Sequence, residues 1–490
     1  MKKFPIIALL AGLSLAFIFS SKPKATGKAS FPIVFNPYPP KDLSPTATPE
    51  ELLGFAWSEF FSLNWRSSFS TDKLRDNPDL TWSYEKDPSP FPSLDVWETY
   101  AHRTELRPFS NVMLPFDNPP HYSFGTMPPP GVAGSSFTLF DNLDENNEIG
   151  SCNVYARVSD YGKTYRVIYQ AKVNRDEYDY LYKNYNTKQL LDSARKNNIH
   201  NITNDSAYYK GAPGSCNCPK DSFTLCLPCG GAQIPNAPSG QTYTGAIEVK
   251  SAWRVLTPKD DASRFFTRTV IVYEKINNVV VYFNRTYALI GLHIIHKTAN
   301  YPAFVFATFE HIDVENNDMG YVLLDTADHE IGPLHAHFPR LHPIPAAADA
   351  STDYAHQLLA AKNPNSIWKY YRIVGVQAVP TNNTAAFSFF MANYVVESDS
   401  TLANFRGSGI GTPFNGLPNT LYNGHGVSMG GCQGCHGVAQ TQLGGDFSFL
   451  MDDVGKPVQT PDVGLTMGKL QRLLKALEQS KPQQKKLRRI

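Results

Sequence analysis

Six runs of β-branched and aromatic residues, separated by turn signals, fill the stretch between residues 245 and 398. They are "GAIEVKSAWRVL", "FFTRTVIVYEKI", "NVVVYFNRTYALIGLHIIHKT", "AFVFATFEHIDV", "IWKYYRIVGVQAV" and "AFSFFMANYVVES". Side chains of this kind crowd a helix and suit a pleated sheet, so a helical bundle is a poor solution for this chain. "TYRVIYQAKV" belongs to the same class, and a short helix is expected near "TKQLLDSARKNN". The sequence therefore predicts an α+β fold whose middle is mainly antiparallel sheet with a few helices. The stretch "TPEELLGFAWSEFFSLNW" reads as a helix. Thr48 is its N-cap, Pro49 takes the first helical position, and Glu51 completes a capping box. Leu52, Leu53, Ala56, Phe60 and Leu63 make its apolar face. A second helix is expected around Trp97 in "SLDVWETYAHRTEL". Residues 65–96 and 107–150 read as irregular.

At 490 residues the chain exceeds one typical core. Three segments are expected: a signal peptide at 1–29, a large β-rich mixed domain at 30–397, and a short, mainly helical cytochrome-c-like haem-attachment segment at 398–490. Lys and Arg number 45 against 44 Asp and Glu, a net charge of +1. Nothing in that balance calls for a nucleic-acid partner. The basic end "KKLRRI" reads as a solvated tail. At the other end, "MKK" precedes the apolar run "FPIIALLAGLSLAFIFS" and the polar "SKPKATGKAS", the layout of a secretory signal. Gly27-Lys28-Ala29 offers a cleavage site, with Ser20 and Ala25 as rivals and an uncleaved anchor as the alternative. No later run is long and apolar enough to span a bilayer, so no stable membrane insertion is expected after cleavage. The expected location is periplasmic or secreted, where disulfides are permitted.

The strongest chemical signal is "CQGCH" at Cys432, Cys435 and His436. Two thiols three positions apart can add to the two vinyl groups of haem, and the next residue places an imidazole under the iron. Cys432 and Cys435 are thus the expected covalent anchors of haem c, and His436 the proximal iron ligand. The glycines at 430, 431, 434 and 437 are expected to let the backbone lie close to the porphyrin. A short disulfide beside an incidental histidine, or half a zinc site, are the competing readings. Met467, just before the terminal "TMGKLQRLLKALEQS" helix, is the first candidate for the distal ligand and Met451 the second, with another His or an open site as the remaining options.

With "CQGCH", the downstream "DFSFLM" and the upstream "FSLNW", "VWETY", "HKT" and "FATFEH", the chain resembles exported bacterial proteins of the cytochrome c family with a single C-terminal haem motif. The resemblance implies covalent haem at Cys432, Cys435 and His436. The chain differs from small cytochromes c in carrying its motif near the C-terminus.

A second cysteine cluster comprises Cys216, Cys218, Cys226 and Cys229. Its Cys-Leu-Pro-Cys is followed by Gly230 rather than His, so it is not a second haem site. The following "GGAQIPNAPSG" cannot start the helix that a thioredoxin-like pair needs. Local disulfides or a four-thiolate metal site remain, with Cys152 left as an unpaired thiol. Histidines gather at His293, His296, His311, His329, His335, His337 and His342. In a strand His335 and His337 share a face and could chelate together, whereas His293 and His296 point to opposite faces. Hydrogen-bonded structural histidines are the plainer reading. Glu310 and His311, at the end of an apolar strand, are candidate catalytic residues. The functions so implied are electron transfer through covalent haem with a redox partner protein; a haem-dependent oxidoreductase or peroxidase that takes a small-molecule substrate at Glu310 and His311; and a ligand-binding or haem-sensor module.

Overall fold

The capping box is where sequence and local structure meet most directly. In a computed structural model of the chain, Thr48 Oγ1 accepts from the Glu51 amide at 3.2 Å, and Glu51 returns a carboxylate oxygen to the Thr48 amide at 2.8 Å. Helix α1 (Pro49–Leu63) starts there. The structure describes residues 31–106, 112–118, 140, 142–143, 154–158, 163–204, 216, 223–238, 240–256, 260–276, 279–315, 321–323, 340, 342–396 and 418–451. After α1 come α2 (Phe69–Asp72), β1 (Ala101–His102), α3 (Arg103–Leu106), β2 (Asn142–Leu143), β3 (Val154–Val158) and β4 (Lys163–Val173). Then follow α4 (Arg175–Asn184), α5 (Lys188–Asn204), β5 (Ile247–Val255), β6 (Thr267–Ile276), β7 (Val279–His296) and β8 (Val305–His311). The chain continues with β9 (Tyr321–Leu323), α6 (Ala346–Lys362), β10 (Tyr371–Gln377), the hairpin β11 (Thr420–Tyr422) and β12 (His425–Val427), and α7 (Gly431–Leu443).

The expected α+β class is present, with a sheet that is antiparallel except where β2 pairs with β6. Its main path runs β10-β8-β7-β5-β4-β3-β9. Strand β7 is the spine. Its first half pairs with β6 and its last six residues with β8, while β5 follows residues 287–296 along it. Phe31 to Ile490 group as one compact unit. The expected boundary at residues 397 and 398 falls outside the described residues, as do the expected signal segment and the terminal helix.

The two faces of the sheet bury different things. Leu292, Ile294, Val305, Ala307, Phe309 and Ile373 face α1 and α6 across an aromatic core containing Trp57, Phe60, Phe61 and Trp368. Ala171, Val173, Ile295 and Phe306 face the other way, onto α4, α5 and Cys432 of α7. Helix α1 is buried on all sides from Leu53 to Leu63, not on one stripe, because the N-terminal segment closes over it: the Val34 amide donates to Ser58 Oγ at 2.8 Å.

Three local expectations are corrected. The helix expected around Trp97 is a single 3₁₀ turn at Trp97–Thr99 followed by the short β1 and α3. Strand β1 pairs with β4, so the sheet claims backbone that a helix would have used. The described part of "AFSFFMANYVVES", Ala386 to Val396, forms turns and irregular backbone rather than a strand. Side chains satisfy its backbone instead: Gln377 donates to the Ser388 and Phe389 carbonyls at 2.7 and 2.9 Å, and Glu310 accepts from the Tyr394 amide at 3.1 Å. Helix α5 is longer than the expected short one, running through Asn204.

Candidate functional site

Helix α7 carries Cys432, Cys435 and His436 one turn apart, so all three fall on one side of the helix. That side lies against the sheet. Cys432 lies in a buried cluster that includes Ile295, Phe306, Phe447 and Met451, and Cys435 in one that includes Tyr169, Ala252 and Val395. The thiols are 5% and 9% exposed, and neither is in a disulfide, contrary to the short-disulfide alternative.

Polar side chains of the body seat the helix. Its first amides lack intrahelical acceptors and Gly430 has no side chain to cap them. Gln377 of β10 does so from outside, accepting from the Gln433 amide at 2.9 Å and donating to the Gly430 carbonyl at 3.2 Å. The Gln433 side chain donates to the Ala303 and Phe304 carbonyls, each at 3.1 Å. Gln440 exchanges two 2.9 Å bonds with the Leu421 backbone, as a strand neighbour would. At the other end Arg195 donates to the Leu443 carbonyl at 2.7 Å.

The expectation that the motif's glycines make room for a porphyrin is corrected for two of them. A Cβ on Gly434 would stand 2.2 Å from the Met429 carbonyl oxygen, and one on Gly437 1.9 Å from Thr420 Oγ1. These glycines bring α7 against its own hairpin, on the side away from the thiols.

His436 is partly buried between Phe306 and Phe449, with ring centroids at 4.8 and 5.0 Å. Its Nδ1 meets the Phe447 carbonyl at 2.6 Å, which places the ring proton on Nδ1. Nε2 makes no hydrogen bond among the described residues. Burial pushes the imidazole down to about 4, so it is neutral at neutral pH. The turn that delivers the carbonyl is strained. Asp446 and Phe447 have φ of 51° and 67°, a left-handed conformation costly for side-chain-bearing residues. Asp446 is fixed by Lys297 Nζ at 2.6 Å and the Leu227 amide at 2.7 Å. Sequence reading missed Phe447 and Asp446 in this role. The clue available was "DFSFLM", conspicuous but without any chemistry attached.

A buried carboxyl pair underlies the same turn. Glu248 and Glu177 lie side by side, and burial pushes Glu248 up to about 7 while Glu177 rises well above its ordinary value. A carboxyl raised by folding holds a proton that the unfolded chain has released. Its contribution is therefore present at pH values below about 4.5 and is lost as pH rises through about 7. Glu248→Gln is expected to flatten the decline of the denaturation midpoint between roughly pH 5 and pH 8. Equal slopes for variant and wild type would remove the carboxyl pair from this account.

The candidate catalytic residues do not converge. Adjacent on β8, they point to opposite faces. Glu310, fully buried, is ion-paired with Arg340 and, at 2.7 Å, with Arg372. His311 stacks on Phe265 at 4.2 Å; its Nε2 meets the Arg264 carbonyl at 2.9 Å and its Nδ1 accepts from the Asp313 amide at 3.2 Å. Burial lowers it to about 4. Both groups are thus occupied by structural partners.

His293 and His296 do face opposite ways, as strand alternation requires. His296 turns to α1, where it ion-pairs with Glu59 at 2.7 Å, and His293 shares the α7 face with Ile295. His342 stacks on Phe390 at 3.8 Å. His329, His335, His337 and Met467 lie outside the described residues, as do Cys152 and Cys218. Met451 is fully buried in the same cluster as Cys432. Cys216 and Cys229 are joined in a disulfide, and Cys226 is disulfide-bonded too. Among the described residues no three His, Cys, Asp or Glu side chains gather as a metal-holding group, and no helix is long and apolar enough to cross a membrane. Compared with known proteins, the chain matches no family model, no curated protein and no solved structure.

Proposed function

We propose that this chain is an exported c-type haem protein that passes electrons to or from a redox partner protein, working in the periplasm or outside the cell. The observation that carries the reading is the state of His436. Iron-binding histidines characteristically hand their second ring nitrogen to a carbonyl, which fixes the tautomer and aims the other lone pair. His436 is held in that way by Phe447, on a turn that is costly to form, beside two unoxidised thiols at haem-attachment spacing. The donor set therefore fits haem c: Cys432 and Cys435 would anchor it through thioethers and His436 Nε2 would ligate its iron. When bound, the haem supplies a one-electron carrier. The chain's own part is to hold the imidazole neutral and oriented and, through the aromatic walls of Phe306 and Phe449, to limit water at the ring. On this reading the segment from residue 398 is the haem-bearing part and the sheet is its seat. Glu310 and His311 lend no support to an enzymatic alternative, since both are taken up by structural partners.

The test is a reduced-minus-oxidised spectrum of protein made in cells with a haem-attachment system. The expected result is one covalent haem per chain, with the pyridine spectrum of two thioethers. Cys432→Ala and Cys435→Ala are each expected to leave one thioether or no bound haem. Protein recovered folded and colourless from such cells would sink the reading.

A further inference from the structure

The α7 face of the sheet presents one imidazole at its centre. Strand register sets His293 of β7 opposite Thr308 of β8 on one side and Lys250 of β5 on the other. One step along the same face, Ile295 is paired with Phe306, and the Phe306 ring is the one that touches His436. Cys432 belongs to the same buried cluster as Ile295 and Phe306, and Cys435 to the same cluster as Ala252, which flanks the Lys250 position along β5. His293 therefore projects from the strand floor into the region that both thiols and His436 overlie, close enough for the two imidazoles to influence each other electrostatically. It is 5% exposed and sits on β7, which pairs with β5, β6 and β8.

We infer that His293 is the second axial ligand of the haem, so that iron is held between an imidazole from α7 and one from β7. The inference rests on the haem reading above. It is an alternative to the expected methionine at Met467, which lies outside the described residues: His293 is an imidazole already on the facing wall. A sheet-borne ligand also explains why a haem motif is built onto a large β-rich body. The strand supplies half of the coordination that a helix and its own loops supply in a small cytochrome. Two nitrogen ligands favour the ferric state relative to a histidine and methionine pair, since methionine ligation raises the potential.

The experiment uses the haem-loaded, full-length chain. Wild type is expected to give a ferric electron paramagnetic resonance spectrum of low-spin, bis-imidazole type and to lack the long-wavelength sulfur-to-iron band. His293→Ala is expected to keep its two thioethers, lose the low-spin signal, bind carbon monoxide when reduced, and regain the low-spin spectrum on addition of imidazole. His293→Met is expected to introduce the sulfur-to-iron band and raise the midpoint potential. The wild-type spectrum alone decides the matter if the variants fail to fold, because a sulfur-to-iron band or a high-spin ferric iron there overturns the assignment. So does a His293→Ala protein that keeps the wild-type low-spin spectrum. In those cases covalent haem is still present and the broader function stands, whereas absence of haem from the wild type overturns both.

Discussion

Replacing Glu310 by alanine is expected to destabilise the protein by about 3–5 kcal/mol, the range for breaking a buried ion pair from one side. Burial alone would raise this carboxyl, yet Arg340 and Arg372 together hold it below its ordinary value. The Tyr394 amide supplies a third contact at 3.1 Å. Alanine would leave two largely buried guanidinium groups facing each other, with only Glu315 to share between them. The sign with pH follows. A carboxyl lowered by folding contributes stability above the unfolded value, and that contribution is lost as pH falls through the folded one. The Glu310→Ala deficit should therefore be full at neutral pH and shrink in acid. Equilibrium denaturation at both pH values measures it. A variant with wild-type stability but altered redox turnover would return Glu310 to the catalytic role that its position at a strand end first suggested.

Trp57→Ala is the second large effect, about 3–5 kcal/mol for removing a fully buried indole. Trp57 has no exposed surface and lies at the meeting point of three elements. Its ring centroid is 5.4 Å from Phe60 on its own helix, 5.0 Å from Phe309 of β8 and 6.0 Å from His356 of α6. Its Nε1 donates to Ser351 Oγ on α6 at 3.2 Å. Truncation opens a cavity that α1, α6 and the sheet cannot jointly close, and it takes from Ser351 Oγ its indole donor. Trp57→Phe, which keeps most of the ring contacts, should cost clearly less. Both are readable as shifts in denaturant midpoint with an unchanged slope. Equal losses for Ala and Phe would place the energy in the hydrogen bond rather than in the packing.

What could be read from residues alone divides along physical lines. The sheet was legible because its signal is local: β-branched and aromatic density over runs long enough to exceed turn noise. The start of α1 was legible because a capping box is a contact between neighbours in sequence. The run from Ala386 to Val396 has the same composition as the strands and yet forms turns. Its backbone is satisfied by the Gln377 side chain from the preceding strand and by Glu310, 84 residues away, and backbone-to-side-chain contacts of this kind leave no periodic mark on the run itself. Trp97 shows a related competition, since the helix suggested by its neighbours yields to pairing with β4. At the candidate site the Cys-x-x-Cys-His spacing was plain. The carbonyl that orients His436 was not, because it depends on two left-handed residues in the Asp446-Phe447 turn that neither type favours. Helix α6 gives too weak an amphipathic pattern to stand out, with alanines throughout Ala346–Lys362.

The depth at which the two thiols lie has a bearing on time as well as on structure. Once Gln433 has closed onto the Ala303 and Phe304 carbonyls, Cys432 and Cys435 face the sheet and not the solvent. On the haem reading proposed above, a porphyrin would have to reach the thiols before that moment, and the share of chains carrying haem would be set by how slowly α7 docks.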